Sequence, residues 1–411
     1  MAKIAIVGAG QGGLQLAIGL LKSGHEVKLL SNRSAEQIEN GSVTSTQFMF
    51  GRALGYEREL GIDFWQHEAP RCTSASLRVA MSDGSLMVHV GSGMDVPGQS
   101  IDQRVKIPRW MRYFEALGGE LQVRDADIQV LEELAQGHEL VIVAAGKGEI
   151  SAMFQRNEQQ SVHTTPPRFI TCVYLKERVD LTQPQLLDLN INPGVGEVGT
   201  FPGISRGGAC RLFTMEAVPG GPMDCWQDVK TPAEHLAMFQ QLIRTHFPLI
   251  AHRIAGQPAL IDEGATLRGQ FVPVVRNPVG RLPSGRAVLG MGDVLVLNDP
   301  VTGQGSNNAS KCAKVYLDAI NRQGARGLDA QWMEATFAEY WEEARWVTEF
   351  TNMALNPPGH MLQIMKAGES NKSIAKKLVD GFNDPTTMRP WFYDPTAAAD
   401  FLAREQQLTA A

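Results

Sequence analysis

The sequence holds no apolar run approaching the roughly 18 residues a membrane-crossing helix needs. Nor is there an excess of positive charge. Thirty-eight Lys and Arg face 44 Asp and Glu, a net charge of −6, so no basic field is present to hold a phosphate backbone and nucleic acid is not expected as a partner. Cysteine is scarce: Cys72, Cys172, Cys210, Cys225 and Cys312 are odd in number, widely spaced and without a CxxC pair. That excludes a disulfide framework and argues against a cysteine-built metal site. The nine histidines are equally scattered and form no HxxxH or HExxH, so no metal is expected. Met1-Ala2-Lys3-Ile4-Ala5-Ile6-Val7 runs straight into a glycine-rich turn and does not read as a secretory signal. The expectation is a soluble, cytoplasmic chain whose 411 residues suffice for two or three domains.

Periodicity then gives an outline. Lys3 to Val7 reads as a buried strand, Leu14 to Lys22 as a helix with Leu14, Ala17, Ile18 and Leu21 on one side, and Glu26 to Leu30 as a second strand. This is a βαβ unit. Residues 42–105 look irregular, broken by Gly and Ser. Arg109 to Leu117 looks helical, and Glu139 to Ala145 is an apolar strand suited to the interior of a parallel sheet. Residues 165–280 alternate like an antiparallel sheet interrupted by a helix near Pro232–His246. Ala287 to Met291 is another apolar strand, followed by a helix from about Gln304 to Ile320. In the helical tail Met333, Phe337, Tyr340, Ala344 and Val347 form a stripe that reads as core packing. There is no repeat and no low-complexity segment.

Two motifs carry chemistry. Gly8-Ala9-Gly10-Gln11-Gly12-Gly13 is a GxGxxG turn between strand and helix. Gly8 permits the turn, Gly10 lets a pyrophosphate approach, and Gly13 lets helix and strand pack closely, with the helix N-terminus facing the phosphates. A carboxylate for the ribose is missing after the second strand. Asn32 and Arg33 stand there and read equally as ribose and phosphate or adenine contacts or as a polar strand-end turn. Late in the chain, Gly290-Met291-Gly292-Asp293 and Asp299-Pro300-Val301-Thr302-Gly303-Gln304-Gly305-Ser306-Asn307-Asn308 follow a buried strand and open a helix. Asp293 suits a ribityl hydroxyl, and the glycines expose N–H donors for the electron-rich edge of a reduced flavin.

Together the two motifs resemble the flavoprotein monooxygenases of the aromatic hydroxylase fold. The resemblance implies FAD held by Gly8, Gly10, Gly13, Asp293, Pro300, Gly303, Gly305, Asn307 and Asn308. The fold expected is mixed α/β: a discontinuous Rossmann-like FAD domain over 1–165 and 281–325 with pocket segments from 42–105, an inserted β-sheet substrate domain over 166–280, and a helical region over 326–411. By the same resemblance Arg104 aligns with a ribityl-contacting residue, although it reads equally as a charge at a helix start. Gln270-Phe271-Val272-Pro273 is expected on the central sheet.

Where single-component hydroxylases carry an Asp-Gly motif serving FAD and NADPH, this sequence has Ala145-Gly146-Lys147-Gly148, and no second GxGxxG follows. It is therefore similar to the oxygenase component of styrene and indole monooxygenases, which receives reduced FAD from an NADH-dependent reductase. Ser45-Thr46-Gln47-Phe48-Met49 matches the Ser-x-Gln-x-Met of the indole branch rather than the Asn-x-Val-x-His of the styrene branch. A Gln or Ser oxygen accepts from an indole N–H, which styrene lacks. Further pocket positions implied are Cys72, Ala75 and Gly98, with Phe48 and Pro300 as walls near the flavin ring or plain packing. The resemblance implies a homodimer and a flavin C4a-hydroperoxide that epoxidises indole at C2=C3, giving 3-hydroxyindole and indigo without a protein acid or base. Styrene epoxidation or sulfoxidation is the alternative, and a non-catalytic flavin-binding redox module a remoter one. A halogenase would need a Trp-x-Trp-x-Ile-Pro motif with a catalytic lysine, and neither is here.

Overall fold

The computed structural model describes residues 1–145, 149–177, 183, 185–324 and 327–410. Its strands are β1 (Lys3–Val7), β2 (Glu26–Ser31), β3 (Cys72–Ala80), β4 (Leu86–Gly98), β5 (Glu120–Val123), β6 (Leu140–Val143), β7 (Phe169–Lys176) and β8 (Gln185–Asn192). They continue with β9 (Gly196–Ser205), β10 (Gly208–Ala217), β11 (Thr266–Gly269), β12 (Val274–Val275), β13 (Val279–Arg281), β14 (Ala287–Gly290) and β15 (Val296–Leu297). The protein is mixed α/β.

A six-stranded sheet has the order β13-β14-β6-β1-β2-β5, parallel except where β13 pairs with β14. β1 and β6 sit at its centre, which explains why Ile4, Ile6, Ile142 and Val143 are apolar without alternation and fully enclosed. The helix Gln11–Lys22 joins β1 to β2 and packs on the helix Gly305–Gln323. The first and last pieces of this layer thus meet across most of the chain.

The second layer is a seven-stranded sheet, β11-β7-β10-β9-β8-β3-β4, antiparallel except for β3 against β8. Alternation along β10 divides its two faces. Phe213, Met215 and Ala217 pack with Phe239, Leu242 and Ile243 of the helix Pro232–His246, which starts at a capping box of Thr231 and Glu234. Thr214 and Glu216 point the other way, into a cavity. The C-terminal helices Ala330–Leu355, Gly359–Gly368, Lys372–Asn383 and Pro395–Ala410 close over β3 and β4 with a core of their own. Met333, Phe337, Tyr340, Ala344 and Val347 are all buried, as their spacing required.

Three local expectations are corrected. Residues 42–105 are not irregular: they hold the helix Gly51–Glu59 and strands β3 and β4, the latter two within the seven-stranded sheet. The helix expected from Arg109 begins at Gln103 and runs through Pro108, because the Asp102 carboxylate caps the Arg104 N–H at 2.8 Å. Gln270-Phe271-Val272-Pro273 lies beyond the end of β11, outside any strand.

Candidate active site

The carboxyl ends of β1 and β14 face the inner side of the seven-stranded sheet across a cavity of about 1210 Å³. At one end lies the glycine turn. Gly8 has φ +118°, and a Cβ there would sit 2.7 Å from the Ala145 nitrogen, while one at Gly13 would strike the Gly8 carbonyl. Those two glycines are required by the fold itself. Gly10 differs: a Cβ would meet nothing within 4 Å, because the residue opens onto the cavity. It is also the N-cap of the first helix and has no capping side chain, leaving that helix end without an intrachain acceptor.

A second bare helix end lies nearby. Asp299 caps the Val301 N–H at 3.1 Å, and Gly303 turns the chain at φ +65°. The helix Gly305–Gln323 follows with no capping side chain. Pro300, Gly303, Gly305 and Asp293 line the cavity. The Asp293 side chain opens onto that space yet is ringed by protein, and this burial pushes its pKa up to about 6. Asn307 does not line the cavity; it donates to the carbonyls of Phe48 at 2.8 Å and Gly303 at 3.0 Å and accepts from the Phe50 N–H at 2.8 Å. It ties the pocket segment to the helix. Asn308 is buried with both amide atoms unpartnered.

In the pocket segment, Ser45, Gln47 and Phe48 line the cavity and Met49 does not. Ser45 Oγ accepts from Gln103 Nε2 at 2.7 Å. Gln47 is 2% exposed, and neither its amide nitrogen nor its oxygen has a partner. A buried amide left this way costs free energy unless something binds it. Phe48 packs edge-on against Phe50 and Phe201 at 5.0 and 5.1 Å. Met49 is buried in a bridge to Gln99. Ala75 lines the cavity, whereas Cys72 lies behind the wall with its thiol pushed up to about 12 by burial. Gly98 sits under the Phe48 ring, where a Cβ would come within 2.5 Å. Its smallness admits Phe48 rather than enlarging the cavity. Beyond, Leu187, Leu189, Phe350, Met361 and Met365 make an apolar far wall.

Other candidates lie apart from this space. Asn32 and Arg33 sit at the end of β2 and do not line the cavity; the Ser31 hydroxyl folds them into a local turn, accepting from the Arg33 N–H at 3.3 Å and donating to its carbonyl at 2.6 Å. Arg104 is 1% exposed. Its guanidinium donates to Asp102, Asp262, Ser205 and the Gly41 carbonyl, which leaves nothing for a flavin. It is a structural ion pair. Gly146 and Lys147 lie outside the described residues. Among the described residues no group of His, Cys, Asp and Glu is arranged for a metal, and no helix is long and apolar enough to cross a membrane.

Two buried polar groups escaped the sequence reading. Under the glycine turn, Lys106 binds Glu57 at 2.7 Å, and Gln11 contacts both at 3.3 and 3.0 Å. On the sheet side of the cavity stand Arg168, Glu197 and Glu216. Scattered over the chain, neither group has a spacing that announces it.

Residues 146–253 match a family described as "Styrene monooxygenase A putative substrate binding domain". Over 96% of its length the chain is 26% identical to styrene monooxygenase StyA of Pseudomonas fluorescens, covering 95% of that protein; StyA of a Pseudomonas species matches equally. The fold resembles the flavin-dependent brominase Bmp2, with TM-score 0.67, 12% identity and 99% of each chain covered. It also resembles a flavoprotein/dehydrogenase from Cytophaga hutchinsonii, with TM-score 0.70, 12% identity and full coverage of both.

Proposed function

We propose that this chain, an FAD-dependent monooxygenase similar to styrene monooxygenase StyA, is the oxygenase component of a two-component system whose preferred substrate is indole. The observation carrying the substrate choice is Gln47, a buried amide in the cavity wall that has no partner, unlike its neighbour Ser45, which accepts from Gln103. Its carbonyl accepts the indole N–H. The runner-up, styrene, is favoured by the names of the relatives and by the apolar far wall.

The residues present fit FAD. Two uncapped helix N-termini and the open space over Gly10 suit phosphates and a flavin edge. Asp293 lines that space and is poised to hold a ribityl hydroxyl, whereas Asn308, although unpartnered, is buried outside the cavity lining. Gly10 and Gly305 line the same space with their backbone, while the Gly303 N–H is taken up by the Pro300 carbonyl at 2.7 Å. When bound and reduced, FAD supplies activation of O₂ for transfer of one oxygen atom to a carbon–carbon double bond. The chain's own work is then orientation and dryness. Phe48 and Phe201 wall the pocket, Pro300 stands at the turn, and Gln47 fixes the ring by its nitrogen. The five thiols are free, which suits a reducing compartment.

The test supplies reduced FAD, O₂ and protein with equimolar indole and styrene, and measures both oxygenated products. Indole product should dominate. Dominance of styrene oxide would refute the indole assignment and leave the monooxygenase standing.

A further inference from the structure

Where the two sheets face each other, a group of buried charges spans the seam. Glu216 on β10 and Glu197 on β9 are direct cross-strand partners, so their side chains share the face that lines the cavity. Arg168 binds Glu197 with two bonds of 2.8 Å and donates also to the carbonyls of Pro167 at 2.9 Å and Leu355 at 3.1 Å. No hydrogen bond from Arg168 reaches Glu216. What Glu216 touches is Asp299, in the turn that precedes the helix Gly305–Gln323.

Glu216 is 4% exposed and Asp299 1%. Carboxylate oxygens only accept, and two carboxylates in contact away from water do not both ionise. Glu216 Oε2 has no donor within reach, and Asp299 Oδ1 already accepts from the Val301 N–H. The contact closes only with a proton between the two groups. Burial, then Asp299 and then Glu197, hold the Glu216 carboxyl well above the usual range. Burial raises Asp299 as well, but the bond from Glu216, the Val301 N–H, Arg168 and His163 all oppose that rise. Asp299 has the Val301 N–H to support a negative charge and Glu216 Oε2 has no donor, so the proton resides on Glu216.

We infer that Glu216 is a neutral carboxylic acid that donates its proton to Asp299, and that this single bond positions the Asp299–Gly303 turn against the seven-stranded sheet. Glu216 is thus a positioning residue, joining the sheet that lines the pocket to the turn proposed to meet the flavin. Only the affinity measurement below rests on the FAD reading.

Infrared difference spectra of the ligand-free protein at neutral pH, wild type minus Glu216→Gln, should show one carboxylic-acid C=O band that shifts in ²H₂O. Absence of that band overturns the inference. Affinity for FAD, read by quenching of flavin fluorescence, tests the positioning. Glu216→Gln keeps an N–H donor for Asp299 and should bind within about threefold of wild type, whereas Glu216→Ala should bind at least about tenfold more weakly. Equal weakening in both variants, or none in the alanine variant, overturns the positioning role. If the wild type takes up no FAD, the cofactor reading falls and the infrared band alone decides.

Discussion

Replacing Gly10 by valine separates cofactor binding from folding. On the fold side, valine is a poor N-cap, which costs about 1 kcal/mol. Against that, Gly10 has φ −88° and ψ −170°, an extended conformation that valine favours, and the loss of unfolded-state freedom returns about 0.4–1 kcal/mol. The new Cβ meets nothing within 4 Å, so no clash is added. The balance is within about 1 kcal/mol, or roughly 1 °C in Tm for a chain of 411 residues. On the cofactor side, the side chain fills the space over the helix N-terminus. Losing even one charge-assisted N–H bond to phosphate, worth about 1.5–3 kcal/mol, weakens binding roughly 10- to 150-fold. Thermal melting and FAD fluorescence quenching on one preparation read both. Gly13→Ala is the contrast, since its Cβ would strike the Gly8 carbonyl and it should lower Tm steeply. A Gly10→Val protein that melts like wild type and binds FAD equally well would place the nucleotide elsewhere.

Three further outcomes are expected. The purified chain with FAD should not oxidise NADH or NADPH until a flavin reductase is added, and steady oxidation without one would defeat the two-component reading. Gln47→Val should lower kcat/KM for indole roughly 5- to 150-fold, the about 1–3 kcal/mol of a lost buried acceptor, and leave styrene nearly unchanged; equal losses would mean the residue positions the flavin or the fold. Asp293 has its pKa raised to about 6, so in the ligand-free protein its contribution to stability is complete below about pH 4 and is lost as pH rises towards 6. Asp293→Asn should lack that slope in a melting series over this range, and identical pH profiles would remove the assignment.

The glycine turn, the apolar β1 and β6, the helix Gly305–Gln323 and the helix Pro232–His246 were legible because each is a local pattern with a local cause. β3 and β4 were not. Ser74, Ser76, Gly91 and Gly93 interrupt their apolar pattern, and the edge strand β4 leaves Leu86 and Met87 half exposed, so period-two alternation is blurred. Pro108 hid the start of its helix. The sequence equally could not tell that Met49 and Gly98 serve the wall rather than the cavity, nor that Arg104 is consumed by Asp102 and Asp262. Those outcomes depend on partners up to 158 residues away. Gln47 was legible as a pocket residue, but its lack of any partner is a property of three dimensions.

The cavity draws its walls from separate stretches of chain: glycine-rich turns on one sheet, Gln47 and Phe48 on a linking segment, and Phe350, Met361 and Met365 on the C-terminal helices. The helices Gly359–Gly368 and Lys372–Asn383 pack in a core distinct from that of the six-stranded sheet, whereas Ala330–Leu355 gives Met333, Phe337, Tyr340 and Ala344 to the sheet's own core. Changes at Met361 and Met365 therefore reshape the space offered to a guest molecule from a separate core, whereas Phe350 neighbours Thr351, whose hydroxyl bonds that of Thr302 in the turn at 2.7 Å, so changes there are coupled to the turn. A laboratory seeking to retune the guest would do best to diversify Met361 and Met365 first. Methionine re-packs around new shapes at small cost, so that wall is where novelty is most easily accommodated.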